Sequence, residues 1–227
     1  MTRPPVPLVV ARAPVAGRAK TRLTPPYSPV QAADLAAAAL LDSLEAAGTA
    51  AALLGSGRPV VALSGDPAGA ERSDQVRDAL SRCDVIRQRG DGLAWRLVAA
   101  HRDAAGSGPV LQIGMDTPQV DADLLVGLAG LLEDAPAVLG PAVDGGWWAL
   151  ALRDARDAAA LGGVAMSLAS TYTATVASFA SRGTAVRPGP VLRDVDTARD
   201  AAAVAALAPS SRFARAVAAH RTRTRIP

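Results

Sequence analysis

The chain carries a single lysine among its 24 basic residues, and Lys20 stands in dense company. Arg18, Lys20 and Arg22 fall within five residues, close to Gly17 and a few positions after Arg12. A glycine lets ligand and backbone approach closely. Backbone N–H groups and cations at a strand end form an anion site, and phosphate is the anion best matched to it. The stretch is not a Walker A loop, because Ala19 rather than a glycine precedes the lysine. No Gly-x-Gly-x-x-Gly follows a candidate strand, so a dinucleotide fingerprint is also absent. The plainer alternative is a solvated basic loop.

Three acidic motifs complement this loop. Ile113-Gly114-Met115-Asp116-Thr117-Pro118 places an Asp directly after an apolar run. Carboxylate oxygens suit Mg²⁺ or Mn²⁺, which take one or two of them beside phosphate oxygens and waters. Asp116 could instead cap the next helix, although Asp121 is better placed to do so. Asp194 and Asp196 lie at i and i+2, and in extended backbone they point the same way. Asp196 or Thr197 could alternatively cap the helix that follows. Asp144-Gly145-Gly146-Trp147-Trp148 joins an acid and two permissive glycines to two of the three tryptophans, in a chain only 3% aromatic. Adjacent tryptophans there suggest a stacking wall for a sugar or base, with one ring facing in and one out. Asp91 and Gly92 open a further helix, as a turn or as amides facing a nucleotide.

The elements that must hold these residues alternate. Short apolar runs at 6–11, 60–63, 85–87, 110–113, 137–139, 147–152 and 185–187 read as strands. Helical stretches at 31–47, 70–81, 93–104, 121–132, 170–181 and 197–207 separate most of them, the first closing at Gly48. This pattern predicts an α/β fold with a mostly parallel sheet covered on both faces. Ligands of such sheets sit beyond the carboxyl ends of the strands, which is where the cationic loop, Asp116 and Asp144 fall.

Composition narrows the function classes. A chain of 227 residues buries roughly 70–75% of its unfolded surface, so no disulfide or metal staple is required. One cysteine, Cys83, excludes a disulfide framework and a cysteine-built zinc site, and reads as packing. With only His101 and His220, a histidine metal cluster or a Ser-His-Asp triad has little to draw on; His101, mid-helix beside Arg102, reads as a surface residue. The net charge of +3 arises at the end of the chain, where Arg212, Arg215, Arg221, Arg223 and Arg225 follow the last acid, Asp200. Without them 19 basic residues face 21 acidic ones. The expectation is one domain over residues 1–211, a frayed basic tail over 212–227, and no nucleic-acid partner. No run of 18 apolar residues suggests a membrane span. Pro4, Pro5, Pro7 and Arg12 interrupt any signal-peptide core, which predicts a cytoplasmic protein, monomer or homodimer.

In their order along the chain, the loop Ala11–Leu23, Gly114-Met115-Asp116-Thr117-Pro118, Gly140-Pro141-Ala142-Val143-Asp144-Gly145-Gly146-Trp147-Trp148 and Asp194-Val195-Asp196-Thr197 resemble a bacterial family of GT-A-like proteins. This is the arsenosugar-biosynthesis-type glycosyltransferase family, within the nucleotide-diphospho-sugar transferase superfamily, and the likeness spans roughly residues 6–207. The family usually has a small polar residue where Met115 stands and a Tyr where Trp147 stands. Phospholactate and phosphoenolpyruvate guanylyltransferases share the Lys20-Thr21-Arg22-Leu23 and Asp194–Thr197 pieces. The resemblance implies a Rossmann-like GT-A three-layer sandwich and a nucleotide-sugar or NTP donor. By that analogy Lys20 and Arg22 contact the donor phosphates; Arg12, Gly17 and Arg18 of the loop, with Asp91 and Gly92, are the further candidate nucleotide contacts, and Lys20 and Asp116 the catalytic candidates. Mg²⁺ or Mn²⁺ would sit on Asp116 and Asp196, or on Asp194 in place of Asp196. Asp144, Gly145, Gly146 and Trp147 would orient the sugar or an unidentified small-molecule acceptor.

The expected activity is metal-dependent glycosyl transfer from a nucleotide-diphospho-sugar. Two alternatives stay open: a nucleotidyltransferase that releases pyrophosphate, and a non-catalytic nucleotide-binding module.

Overall fold

The computed structural model describes residues 3–224. Seven strands make one sheet: β1 (Val6–Arg12), β2 (Val60–Ser64), β3 (Asp84–Arg87), β4 (Val110–Ile113), β5 (Ala137–Pro141), β6 (Trp147–Leu152) and β7 (Val186–Pro188). Their order is β3-β2-β1-β4-β6-β5-β7. Parallel pairing joins β1 to β2 and β4, β2 to β3, and β5 to β7, while β6 runs antiparallel to both β4 and β5. Six strands therefore point one way, as the alternation predicts. The exception follows from chain length: Ala142–Gly146 is a short turn, and a parallel return needs a crossover of a dozen residues or more.

Alternate residues of each strand enter opposite layers. On β1, Val9 and Ala11 pack toward α1 (Pro29–Leu54), α2 (Ser73–Ser81) and α4 (Ala122–Gly130). Leu8 faces α3 (Gly92–Ala105), the 3₁₀ segment Ala155–Gly163 and α5 (Thr171–Ala180). This is the expected three-layer sandwich. Beyond α1 lies a further helical layer, α6 (Ala198–Leu207) and α7 (Arg212–Thr224), which buries Leu35, Ala38 and Ala39 of α1.

Helix α1 is longer than its sequence pattern predicts. It starts with a capping box, Ser28 accepting from the Gln31 N–H and Gln31 returning to the Ser28 N–H, with Pro29 in the first turn. It then runs through Gly48 and closes at Gly55. A mid-helix glycine costs only about 1 kcal/mol, and the buried residues on both sides of Gly48, among them Ala46, Ala47, Ala50 and Ala51, offset that. By length and composition α1 alone among the described helices could cross a membrane; its apolarity is used between the sheet and the outer helices.

Two further expectations are corrected. Residues 212–224 are a helix rather than a frayed tail: Phe213, Ala216 and Val217 are buried against α1 and α6. The arginines of this helix interleave with an apolar stripe at i, i+3 and i+4. Residues 225–227 lie outside the described part. His101 is fully buried rather than on the surface, because α3 turns that side to the core; its Nδ1 lies 2.9 Å from the Leu97 carbonyl, and burial pushes its pKa down to about 4.

Candidate active site

The cationic loop leaves β1 at Arg12 and passes Gly17, whose φ of +72° puts it in the left-handed region. Lys20 is left-handed too, at φ +47° and ψ +44°. For a non-glycine residue this costs roughly 1–2 kcal/mol, and such outliers gather where function demands them. A 3₁₀ turn, Thr21–Leu23, follows; Leu23 is fully buried and its N–H donates to the Lys20 carbonyl at 2.9 Å. The ammonium of Lys20 is thereby aimed inward. Its Nζ stands 3.0 Å from Asp116 Oδ2 and 3.0 Å from Asp196 Oδ1. Arg22 reaches Asp196 Oδ2 at 3.2 Å, with 73% of its side chain exposed.

Asp116 lies just past the end of β4. Its carboxylate turns back over Gly114, where a Cβ would stand 2.6 Å from Asp116 Oδ1. Asp121 caps α4 by accepting from the Leu124 N–H at 2.9 Å, which releases Asp116 from that duty. Thr197, with Asp200, caps α6, which likewise releases Asp194 and Asp196. Two long-range bonds hold the motifs together: the Val195 N–H donates to the Asp116 carbonyl at 2.9 Å, and Gln119 Nε2 donates to the Arg193 carbonyl at 2.6 Å. Spacing along the chain carries no sign of either bond, and sequence reasoning missed both Val195 and Gln119.

One oxygen each from Asp116, Asp194 and Asp196 lies within 4.8 Å of the others. Burial, then the charges of Asp116, Asp144 and Asp196, push the Asp194 pKa up to about 6. Burial would lower the pKa of Lys20, but Asp116 and Asp196 outweigh it and hold the ammonium above its ordinary value. Three part-buried oxygen donors without histidine or cysteine match a hard divalent cation rather than zinc. The crowding of like charges that raises Asp194 is a condition a cation would relieve. The residues therefore fit Mg²⁺ or Mn²⁺, and both Asp194 and Asp196 are placed to contribute.

Other residues singled out in the sequence take varied positions. Arg12 and Arg18 are exposed on the loop, with Arg12 Nη1 donating to the Arg18 carbonyl at 3.4 Å. Asp144, exposed, accepts from the Gly146 N–H at 2.8 Å and forms the β5–β6 turn. Gly145 has φ +90°, and a Cβ there would come within 2.1 Å of the Ala169 carbonyl oxygen, so the turn and its neighbour require glycine. Trp148 is buried, its Nε1 donating to the Pro190 carbonyl at 2.9 Å. Trp147 faces the other layer, half-buried, with Nε1 donating to Thr175 Oγ1 at 3.2 Å. Its ring is partly committed to α5 rather than standing as an open wall. Asp91 and Gly92 open α3 as exposed residues, and among the described residues no hydrogen bond or ion pair ties them to the Lys20 cluster.

The family model described as "Uncharacterized protein conserved in bacteria (DUF2064)" matches residues 45–168. The chain belongs to the DUF2064 family. The matched region contains Asp116 and the Asp144 turn, while Lys20, Arg22, Asp194 and Asp196 lie outside it. No curated protein matches this DUF2064 chain in sequence. Among solved structures, it is similar to a candidate nucleotide-diphospho-sugar transferase from Desulfovibrio desulfuricans G20, with 24% identity, a TM-score of 0.77, and 98% of this chain and 95% of that one covered. It is also similar to a CMP:2-keto-3-deoxy-manno-octonic acid synthetase complexed with CTP, with 16% identity, a TM-score of 0.55 and coverage of 91% and 98%. A manganese complex of Rv0371C from Mycobacterium tuberculosis H37Rv gives 19% identity, a TM-score of 0.50 and coverage of 90% and 98%. At these identities the likeness establishes the fold: the DUF2064 chain has the Rossmann-like sheet of the nucleotide-diphospho-sugar transferases.

Proposed function

We propose that this protein is a metal-dependent transferase that takes a nucleotide donor, and that the donor is a nucleotide-diphospho-sugar. The observation that carries the reading is the meeting of Lys20 with Asp116 and Asp196, drawn from three distant parts of the chain, at the carboxyl ends of parallel strands. That is where nucleotides bind in open α/β sheets. The candidate sugar transferase of D. desulfuricans and the CTP-bound synthetase share this fold and lend the donor its class.

In this reading Asp116 and Asp196, with Asp194 beside them, hold Mg²⁺ or Mn²⁺; the manganese complex of Rv0371C supports a divalent ion in a related fold. When bound, the ion supplies Lewis-acid stabilisation of the donor's phosphate oxygens. Lys20 and Arg22 neutralise charge on the leaving phosphate, and the backbone of Gly17–Arg18, with Arg12, lines the same phosphates. Lys20 needs no conformational search, because its left-handed backbone and the buried Leu23 already aim it. Asp144, whose charge reaches Asp194, and the rest of its turn, Gly145, Gly146 and Trp147, orient the sugar or acceptor.

Nucleotidyl transfer is the second reading, favoured by the CTP complex of the synthetase. It would use the same cations and carboxylates with attack at the α-phosphorus. Incubation with a panel of NTPs and NDP-sugars, with and without Mn²⁺, separates the two. Metal-dependent release of a nucleoside diphosphate from an NDP-sugar supports glycosyl transfer. Pyrophosphate release from an NTP overturns it in favour of nucleotidyl transfer, and nucleotide binding without release of either product leaves a binding module.

A further inference from the structure

Helix α7 is fastened to the body at its first residues and again at His220. At its start, Asp42 of α1, only 9% exposed, accepts from the backbone N–H groups of Arg212 at 3.1 Å and Phe213 at 2.9 Å, and pairs with the Arg212 guanidinium at 3.2 Å. Farther along, His220 Nε2 lies 2.8 Å from Asp34 Oδ2, and Arg72 holds the other oxygen of Asp34 at 2.7 Å. Carboxylates spent inside an otherwise apolar helix mark this docking as specific.

What α7 docks onto matters for the site. Phe213, Ala216 and Val217 share one apolar cluster with Leu23, Tyr27 and Val195. Leu23 is the buried anchor of the turn that aims Lys20. Val195 is 2% exposed and stands between Asp194 and Asp196, so its burial decides where both carboxylates point. The cationic loop and the acidic pair thus rest on the same floor, and α7 is one wall of it. Close-packed interiors transmit displacement rather than absorb it.

We propose that α7 is a positioning element of the active site, with Phe213 as the positioning residue that sets Lys20 against Asp194 and Asp196. The proposal deepens the reading of this cluster as a metal–nucleotide site and rests on it for its functional meaning. Phe213 touches no reacting group. It acts through Leu23 and Val195, across a region that lies beyond the residues matched to the family model.

The test uses the full chain and exploits Lys20 as the sole lysine, so ¹³C-lysine labelling gives one Cε–Hε signal that reports on the site without any ligand. Phe213→Ala is compared with Phe179→Ala, a truncation of the other fully buried phenylalanine, which packs in the opposite layer. Both are measured at a temperature where circular dichroism shows them folded. The expected result is a displaced or broadened Lys20 signal and about tenfold or greater loss of Mn²⁺-dependent nucleotide affinity in Phe213→Ala, since small misplacements of a site carry losses of that size. Phe179→Ala keeps the wild-type signal and affinity despite a lower melting temperature, and Phe213→Leu returns the signal toward wild type. If Phe213→Ala does not fold, Val217→Ala takes its place in the same comparison. A folded α7 variant with an unmoved Lys20 signal, or equal displacement by Phe179→Ala, overturns the proposal. Failure of the wild type to bind any nucleotide with Mn²⁺ overturns the transferase reading instead, and the Lys20 signal still decides whether α7 positions the cluster.

Discussion

Replacing Asp116 with Asn removes one charge from the carboxylate cluster while keeping side-chain size. A divalent cation and the charge of a coordinating carboxylate about 3 Å apart attract by ~3 kcal/mol at a dielectric of 80 and ~11 kcal/mol at 20. The Asp116 side chain is 33% exposed, which favours the weaker end. A loss of about 3 kcal/mol corresponds to roughly 150-fold in Kd. Stability without metal should change far less. The variant loses the charge that pairs with Lys20 at 3.0 Å but relieves repulsion on Asp194, whose pKa Asp116 helps to raise. The two effects oppose, leaving a net change of about 1 kcal/mol in either direction. Mn²⁺ titration followed by electron paramagnetic resonance reads the affinity, and thermal melting in EDTA reads the stability. An Asp116→Asn protein with the wild-type Mn²⁺ isotherm would refute the assignment, and one that unfolds would show that Asp116 serves the fold.

Lys20→Met should weaken donor binding by about 10–100-fold, the range for losing a hydrogen bond to a charged group. Its melting temperature should fall by only a few degrees; loss of the fold with intact refolding of other loop variants would recast the loop as structural. The raised pKa of Asp194 predicts pH-dependent metal binding. Below about pH 6 a proton competes for that carboxylate, so Mn²⁺ affinity should drop as pH falls from 6 to 5 and level off above 7; a flat profile would remove Asp194 from the ligand set. Gly145→Ala meets both a φ of +90° and the Ala169 carbonyl, and should cost about 2–4 kcal/mol in urea unfolding. A change under 0.5 kcal/mol would mean that the turn yields at little cost.

Much of the site could be read from residue order. The apolar runs that precede the first loop and Asp116 mark strands buried on both faces, and the sheet rule then sends Lys20, Asp116 and Asp144 to one rim. Asp121 could be recognised as the cap of its helix, which singled out Asp116, whereas Asp196 and Thr197 were equal candidates until the structure gave that duty to Thr197 with Asp200. What stayed hidden depends on tertiary contacts. Gly48 looks like a helix stop until the burial on either side of it is known. His101 looks exposed until α3 is oriented. The basic C-terminus conceals an apolar stripe that means little without Leu23 and Val195 opposite it. The left-handed backbone of Lys20 leaves no trace in residue type.

The most direct examination of the central claim follows the lone lysine signal during addition of Mn²⁺ together with a nucleotide. Paramagnetic broadening of the Lys20 resonance at substoichiometric Mn²⁺, abolished when Asp116 and Asp196 are both changed to Asn, is the predicted result. A resonance that stays sharp with Mn²⁺ and every nucleotide tried would contradict it.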